Sequence, residues 1–240
     1  SMTARMRSYI RWNLADVGIG ITGTLILVFI LTGIAAVFAT GYSDESPEAY
    51  AAQFIATTLW DISFVALLLF LVRRKNAGPE HLGLRDGVTS PGQTALWIVG
   101  GYLALYTTVV VYNIIVSVLG LDFLQPSEQL DSSVFDSTVV IILAGIAIVL
   151  CAPIAEEILF RGFLFGGLLR YMPMWLAALL SGGLFSLAHF NVGLVIPFTL
   201  VGAILAFLYA RTNSLVTNIS VHLLFNLTSY LVLVFVPDAR

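Results

Sequence analysis

The sequence predicts an all-α fold, a polytopic transmembrane helix bundle of about seven spans, with eight as the alternative count. Hydrophobic residues make up 59% of the chain and charged residues only 10%, with a mean hydropathy of +0.96. Soluble domains carry about 25% charged residues, so this chain lacks the side chains needed to cover a water-facing surface. Apolar stretches of the roughly 20 residues that a span requires recur from residue 16 to residue 236, and most of the charges gather between them.

The elements follow in order. Segment 16–40 is the first span, with Arg5, Arg7 and Arg11 before it and Asp44, Glu45 and Glu48 after it. Segment 51–72 is the second and ends at Arg73-Arg74-Lys75. The loop 76–93 is expected on the membrane surface, held there by Leu82 and Leu84. Segment 94–120 is the third span. The loop 121–136 holds Asp122, Glu128, Asp131 and Asp136 and no basic residue. Segments 137–171, 173–190, 193–210 and 214–236 complete the set. Residues 1–136 thus form an N-terminal unit of three spans and surface loops, and residues 137–240 form the core helices of one membrane-embedded body.

Residues 137–171 would make a helix of about 50 Å at 1.5 Å per residue, longer than a bilayer needs. Pro153 is the expected place for a break or kink, because proline removes a backbone hydrogen bond and clashes with the preceding turn; a break there would give the eighth segment. Orientation follows from the basic residues. Placing the N-terminus in the cytoplasm puts Arg5, Arg7, Arg11, Arg73–Lys75, Arg85, Arg170 and Arg211 inside and the acidic loops outside, as the positive-inside rule requires. On seven spans the C-terminus, with Asp238 and Arg240, is outside.

Composition also excludes several classes. There is no basic tract suited to nucleic acid, and the single cysteine, Cys151, rules out an internal disulfide or a cysteine-based metal cluster. Trp12, Tyr171 and Trp175 read as interfacial anchors. Asp16 is expected at the interface beside Arg11, and Asp61 and Asn113 as hydrogen-bonding groups between helices, with Asp61 also open to a functional role.

Against this background three patterns stand out: Glu156-Glu157-x-x-x-Arg161, Phe185-x-x-x-His189 and His222-x-x-x-Asn226. Ionisable groups inside spans are costly and usually have a partner and a function. Arg161 lies four residues beyond Glu157, the favoured acid-first order on one helix face. Glu156 is turned about 100° away, so it is expected to face a cavity as the free carboxylate. A general base needs that arrangement, shielded yet able to reach a water. The alternative is a structural charge cluster between helices. Two histidines and a carboxylate can bind zinc, or they can orient a water and donate to an oxyanion. Asn226 is a neutral donor suited to the oxyanion, and Phe185 either walls the site or packs. Gly162, Gly166 and Ser181-Gly182-Gly183 allow close helix approach.

In this order, on successive helices, the three patterns resemble the CPBP family, also called the Abi or CAAX-protease-like family. The resemblance spans roughly residues 137–236, with Gly83-Leu84-Arg85 ahead of it. It implies an intramembrane endopeptidase acting on a membrane-associated peptide or protein, in the plasma membrane of a prokaryote. Glu156 and His189 would activate water, His222 and Asn226 would stabilise the oxyanion, and Glu157, Arg161 and Phe185 would support them. The resemblance leaves a metal-dependent and a metal-independent glutamate mechanism both open. A zinc ion, if bound, would take Glu156, His189 and His222, although the His-Glu-x-x-His spacing that implies zinc is missing. The competing function is a transport, immunity or scaffolding protein with a buried ligand or proton site. Against it stand the missing inverted repeat and the gathering of polar groups in one half of the chain.

Overall fold

The computed structural model describes residues 2–127 and 130–236, so Glu128, Asp238 and Arg240 lie outside the described residues. The regular structure among those residues is entirely helical. A short helix, α1 (Met2–Tyr9), precedes α2 (Leu14–Phe38), α3 (Pro47–Arg73), α4 (Pro91–Val118), α5 (Thr138–Leu169), α6 (Met174–Leu187), α7 (Val195–Thr212) and α8 (Leu215–Phe235). Among the described residues six helices are long and apolar enough to cross a membrane, α7 being counted with the 3₁₀ turn Val192–Leu194 before it, and the shorter apolar α6 brings the bundle to about seven.

Local chemistry starts and stops these helices. Asn13 and Asp16 form a reciprocal capping box on α2, and Ser90 and Gln93 form another on α4. Ser46 caps α3, with Pro47 as its first residue, where a missing N–H costs nothing. Asn213 ends α7 in the left-handed region, with φ of 57°, and Ser214 then caps α8. On α2, Phe29, Val37 and Phe38 are all exposed. A helix apolar on faces that no protein covers is stable only against lipid.

The core is built around α5. Every residue from Glu157 to Phe165 is buried, and this stretch packs against α3, α6, α7 and α8. Pro153 does not end the helix. Residues Ile146–Cys151 and Glu157–Phe165 are wound as π-helix on either side of it, and the backbone stays right-handed helical across each junction. The wider winding accommodates the proline ring, so α5 forms no eighth span.

The basic segments meet at one end of the bundle. Arg7 donates to the carbonyls of Leu169 and Met172, Arg170 to that of Trp12, and Arg85 to Asn213. Asp16 pairs with Lys75 at 3.1 Å rather than with Arg11. At the other end the acidic loop is tied to α3 by Tyr50 and Ser133, 2.8 Å apart. Hydrogen bonds from the Ser133 hydroxyl and N–H hold the Asp131 carboxyl below the usual carboxylate range.

Several sequence expectations are corrected here. Trp12 is not a lipid anchor: it is buried, stacks on Phe163 and donates its indole N–H to the Phe163 carbonyl at 2.8 Å. Tyr171 and Trp175 are exposed, as anchors should be. The 76–93 loop does not merely lie on a surface, because Leu82 is fully buried in the main core and its carbonyl presses against Gly162, where a Cβ would collide. Asn113 is exposed instead of bridging helices, and Asp61, although buried, has one carboxylate oxygen with no hydrogen-bond partner.

Candidate active site

The site grows from the π-wound part of α5. Glu157 and Arg161 are both fully buried and joined by a 2.8 Å ion pair from Nη1 to Oε1, as the helical spacing predicts. The same oxygen lies 3.0 Å from His222 Nδ1 on α8. The other oxygen accepts a 3.0 Å hydrogen bond from Asn218 Nδ2, which also donates to the Leu205 carbonyl on α7 at 2.7 Å. Glu157 is thus a fixed anchor that ties α5 to α8. Glu156 differs: its side chain is 23% exposed, and its Oε2 lies 3.6 Å from His222 Nε2. One imidazole therefore stands between the two adjacent carboxylates, with one nitrogen toward each.

Phe185 and His189 arrive from α6. This helix has 14 residues, about 21 Å at 1.5 Å per residue, against a hydrocarbon thickness of about 30 Å. It therefore ends short, and His189 sits in the turn just beyond it rather than inside a span. Nδ1 of His189 is bonded to the Phe185 carbonyl at 2.9 Å, which leaves Nε2 as the free ring nitrogen. The buried Phe185 ring stands edge-on to His189 and to His222, with centroids 4.8 and 5.9 Å away. It also lies under the Arg161 guanidinium at 4.4 Å. One aromatic ring thus gathers both histidines and the arginine.

The approach of α6 to α7 that allows this is made by Gly182 and Gly202. A Cβ on Gly182 would lie 2.5 Å from the Thr199 carbonyl oxygen, and one on Gly202 would run into the Gly182 backbone.

Asn226 is placed by Pro153. In the π winding the Ala152 N–H bonds to the Ala147 carbonyl, so the Ile148 carbonyl would next look to residue 153. Proline has no N–H to give. Asn226 Nδ2 supplies the missing donor at 2.9 Å and keeps a second N–H.

Residues 138–228, the stretch that carries all of these groups, match the family described as type II CAAX prenyl endopeptidase Rce1-like. The chain is also 30% identical over 199 residues to the "Putative membrane peptidase YdiL" of Bacillus subtilis (strain 168), covering 82% of this chain and 80% of that protein. The chain belongs to the Rce1-like family. No solved structure matches it. It is an integral membrane protein of a CAAX-protease-like peptidase family.

For this Rce1-like protein the fit to a metal can be tested from the donor set. Glu156 and His222 approach each other, but among the described residues no three His, Cys, Asp or Glu side chains converge as a metal site. The arrangement does not fit the three-ligand zinc set expected of Glu156, His189 and His222. Asn218 escaped the sequence reading. Its signal was present, since Asn218, His222 and Asn226 recur at four-residue steps along one stripe of a largely apolar helix.

Proposed function

We propose that this protein is an intramembrane endopeptidase in which Glu156 and His189 activate a water that attacks a peptide carbonyl. The observation that carries the reading is the contrast between adjacent carboxylates. Glu157 is fully buried and saturated by Arg161, His222 and Asn218, whereas Glu156 is partly exposed and, among the described residues, makes its ion-pair contact with His222 Nε2. Glu156 takes a proton from the water, the hydroxide adds to the carbonyl carbon, and the oxygen becomes an oxyanion. His189 orients the water through Nε2.

Glu157 binds His222 at Nδ1, so His222 becomes a donor at Nε2 by accepting the proton from Glu156, 3.6 Å away. The imidazolium and the second N–H of Asn226 then hold the oxyanion, the kind of preorganised stabilisation that contributes most in acyl transfer. Collapse of the intermediate breaks the C–N bond, and the proton returns to the leaving amine.

The substrate is a peptide or protein associated with the bilayer, and the enzyme resides in the plasma membrane of a prokaryote. Water enters from the basic end of the bundle, which is cytoplasmic by the positive-inside rule. The deciding experiment is Glu156→Ala in a peptide-reporter assay, with folding checked in detergent. Turnover should vanish in a folded protein; a folded variant that still cleaves would remove Glu156 from the mechanism.

A further inference from the structure

We propose that Asn218 is a positioning residue that fixes the tautomer of His222, holding its bare Nε2 toward Glu156. The buried ion pair has a weak point. Arg161 reaches Glu157 through Nη1 alone, and its Nε and Nη2 are buried with no hydrogen-bond partner. A single-point contact does not stop a carboxylate from turning about its last torsion, which is broad and nearly two-fold. A bidentate arginine would lock it; this one does not.

Asn218 supplies the second point. It is fully buried, and its amide nitrogen donates to Glu157 Oε2 at 3.0 Å and to the Leu205 carbonyl at 2.7 Å. Its amide oxygen has no partner, so the orientation is set by the two acceptors. Turning the amide over would place that oxygen against a carboxylate oxygen and a carbonyl oxygen at once. The nitrogen assignment follows from this network. With Oε2 held by Asn218, Oε1 stays on His222 Nδ1 at 3.0 Å. An ionised carboxylate only accepts, so Nδ1 must carry the ring hydrogen and the lone pair of the neutral ring falls on Nε2. That nitrogen is the one 3.6 Å from Glu156. Asn218 stands one helical turn before His222 on α8, so anchor and imidazole move as one rigid piece.

The consequence for turnover rests on the proposed Glu156 mechanism, but the tautomer does not, and the test separates them. This chain in detergent, labelled with ring-¹⁵N histidine, gives three imidazoles to assign, His81, His189 and His222; His222→Gln identifies the third. At mildly alkaline pH the wild type should show His222 protonated at Nδ1. Asn218→Leu, which keeps the volume and removes both N–H groups, should show mixed tautomers for His222 with His189 unchanged. The reporter kcat should fall about 10- to 100-fold at nearly constant KM, the range usual for partners that orient a functional imidazole. Asn218→Ala removes the same donors and replaces the leucine variant if that one does not fold. A purely structural role would lower thermal stability and leave the tautomer intact. A folded Asn218 variant with His222 still protonated at Nδ1 overturns the proposal, whatever its activity. Shifted tautomers with unchanged kcat would instead count against the Glu156 mechanism.

Discussion

Replacing Glu157 with leucine should destabilise the protein more than replacing Glu157 and Arg161 together. Glu157 and Arg161 are both fully buried, and their ion pair is 2.8 Å long. Removing the carboxylate leaves a guanidinium, which keeps its charge, with no acid partner at its Nη1. Breaking one side of a buried pair costs about 3–5 kcal/mol, whereas replacing both sides by apolar groups of similar volume is often neutral. A direct estimate agrees in size. Charge centres about 4 Å apart at an effective dielectric near 20 interact by about 4 kcal/mol. His222 and Asn218 also lose an acceptor in either variant, at about 1–3 kcal/mol for a buried donor left unsatisfied. Because that cost is common to both, the comparison isolates the charge. On the soluble-domain scale of about 2–4 °C per kcal/mol, the charge cost of about 3–5 kcal/mol should by itself lower the Tm of Glu157→Leu in detergent by about 6–20 °C. Glu157→Leu with Arg161→Met should recover much of that loss. A double variant less stable than Glu157→Leu alone would refute the unpaired-charge argument and leave the hydrogen bonds as the main contribution.

Two further outcomes follow from the same geometry. Gly182→Ala places a methyl 2.5 Å from the Thr199 carbonyl oxygen and must push α6 off α7. It should cost about 1–3 kcal/mol by overpacking and, by moving His189, lower reporter turnover; an unchanged Tm would mean that the helices slide freely. Pro153→Ala restores an N–H that can bond to the Ile148 carbonyl, a bond worth about 0.5–1.5 kcal/mol, in competition with Asn226. Thermal stability should hold or rise while turnover falls, and unchanged turnover would show that the hold of Asn226 on Ile148 has no part in the reaction.

Much of this was legible in the sequence because the signals are local. The four-residue step from Glu157 to Arg161 specified an ion pair on any right-handed helix, and the pair forms even within a π-wound stretch. Long apolar runs separated by charged loops specified spans, because unsatisfied backbone groups in lipid leave the helix as the only local solution. The failures involve features that depend on a partner distant in sequence. Trp12 looked like an anchor because its partner, the Phe163 carbonyl, is 151 residues away. Asp16 chose Lys75 over Arg11 because α2 and α3 are packed neighbours. The short α6 could not be foreseen, since its apolar composition continues past the turn that holds His189.

The sequence by itself determined that the chain is helical, that it belongs in a bilayer, and that Glu157 shares a helix face with Arg161 while Glu156 is turned away from it. Periodicity and hydrophobicity suffice for those, because both act within a few helical turns. Only the tertiary structure decided that His222 stands between the two carboxylates, that Asn218 holds Glu157, and that Phe185 gathers both histidines. Those placements depend on how α5, α6, α7 and α8 approach one another. That approach is set by glycine contacts such as Gly182 against Gly202 and by a proline that frees one carbonyl for Asn226, and no spacing along a single helix encodes it.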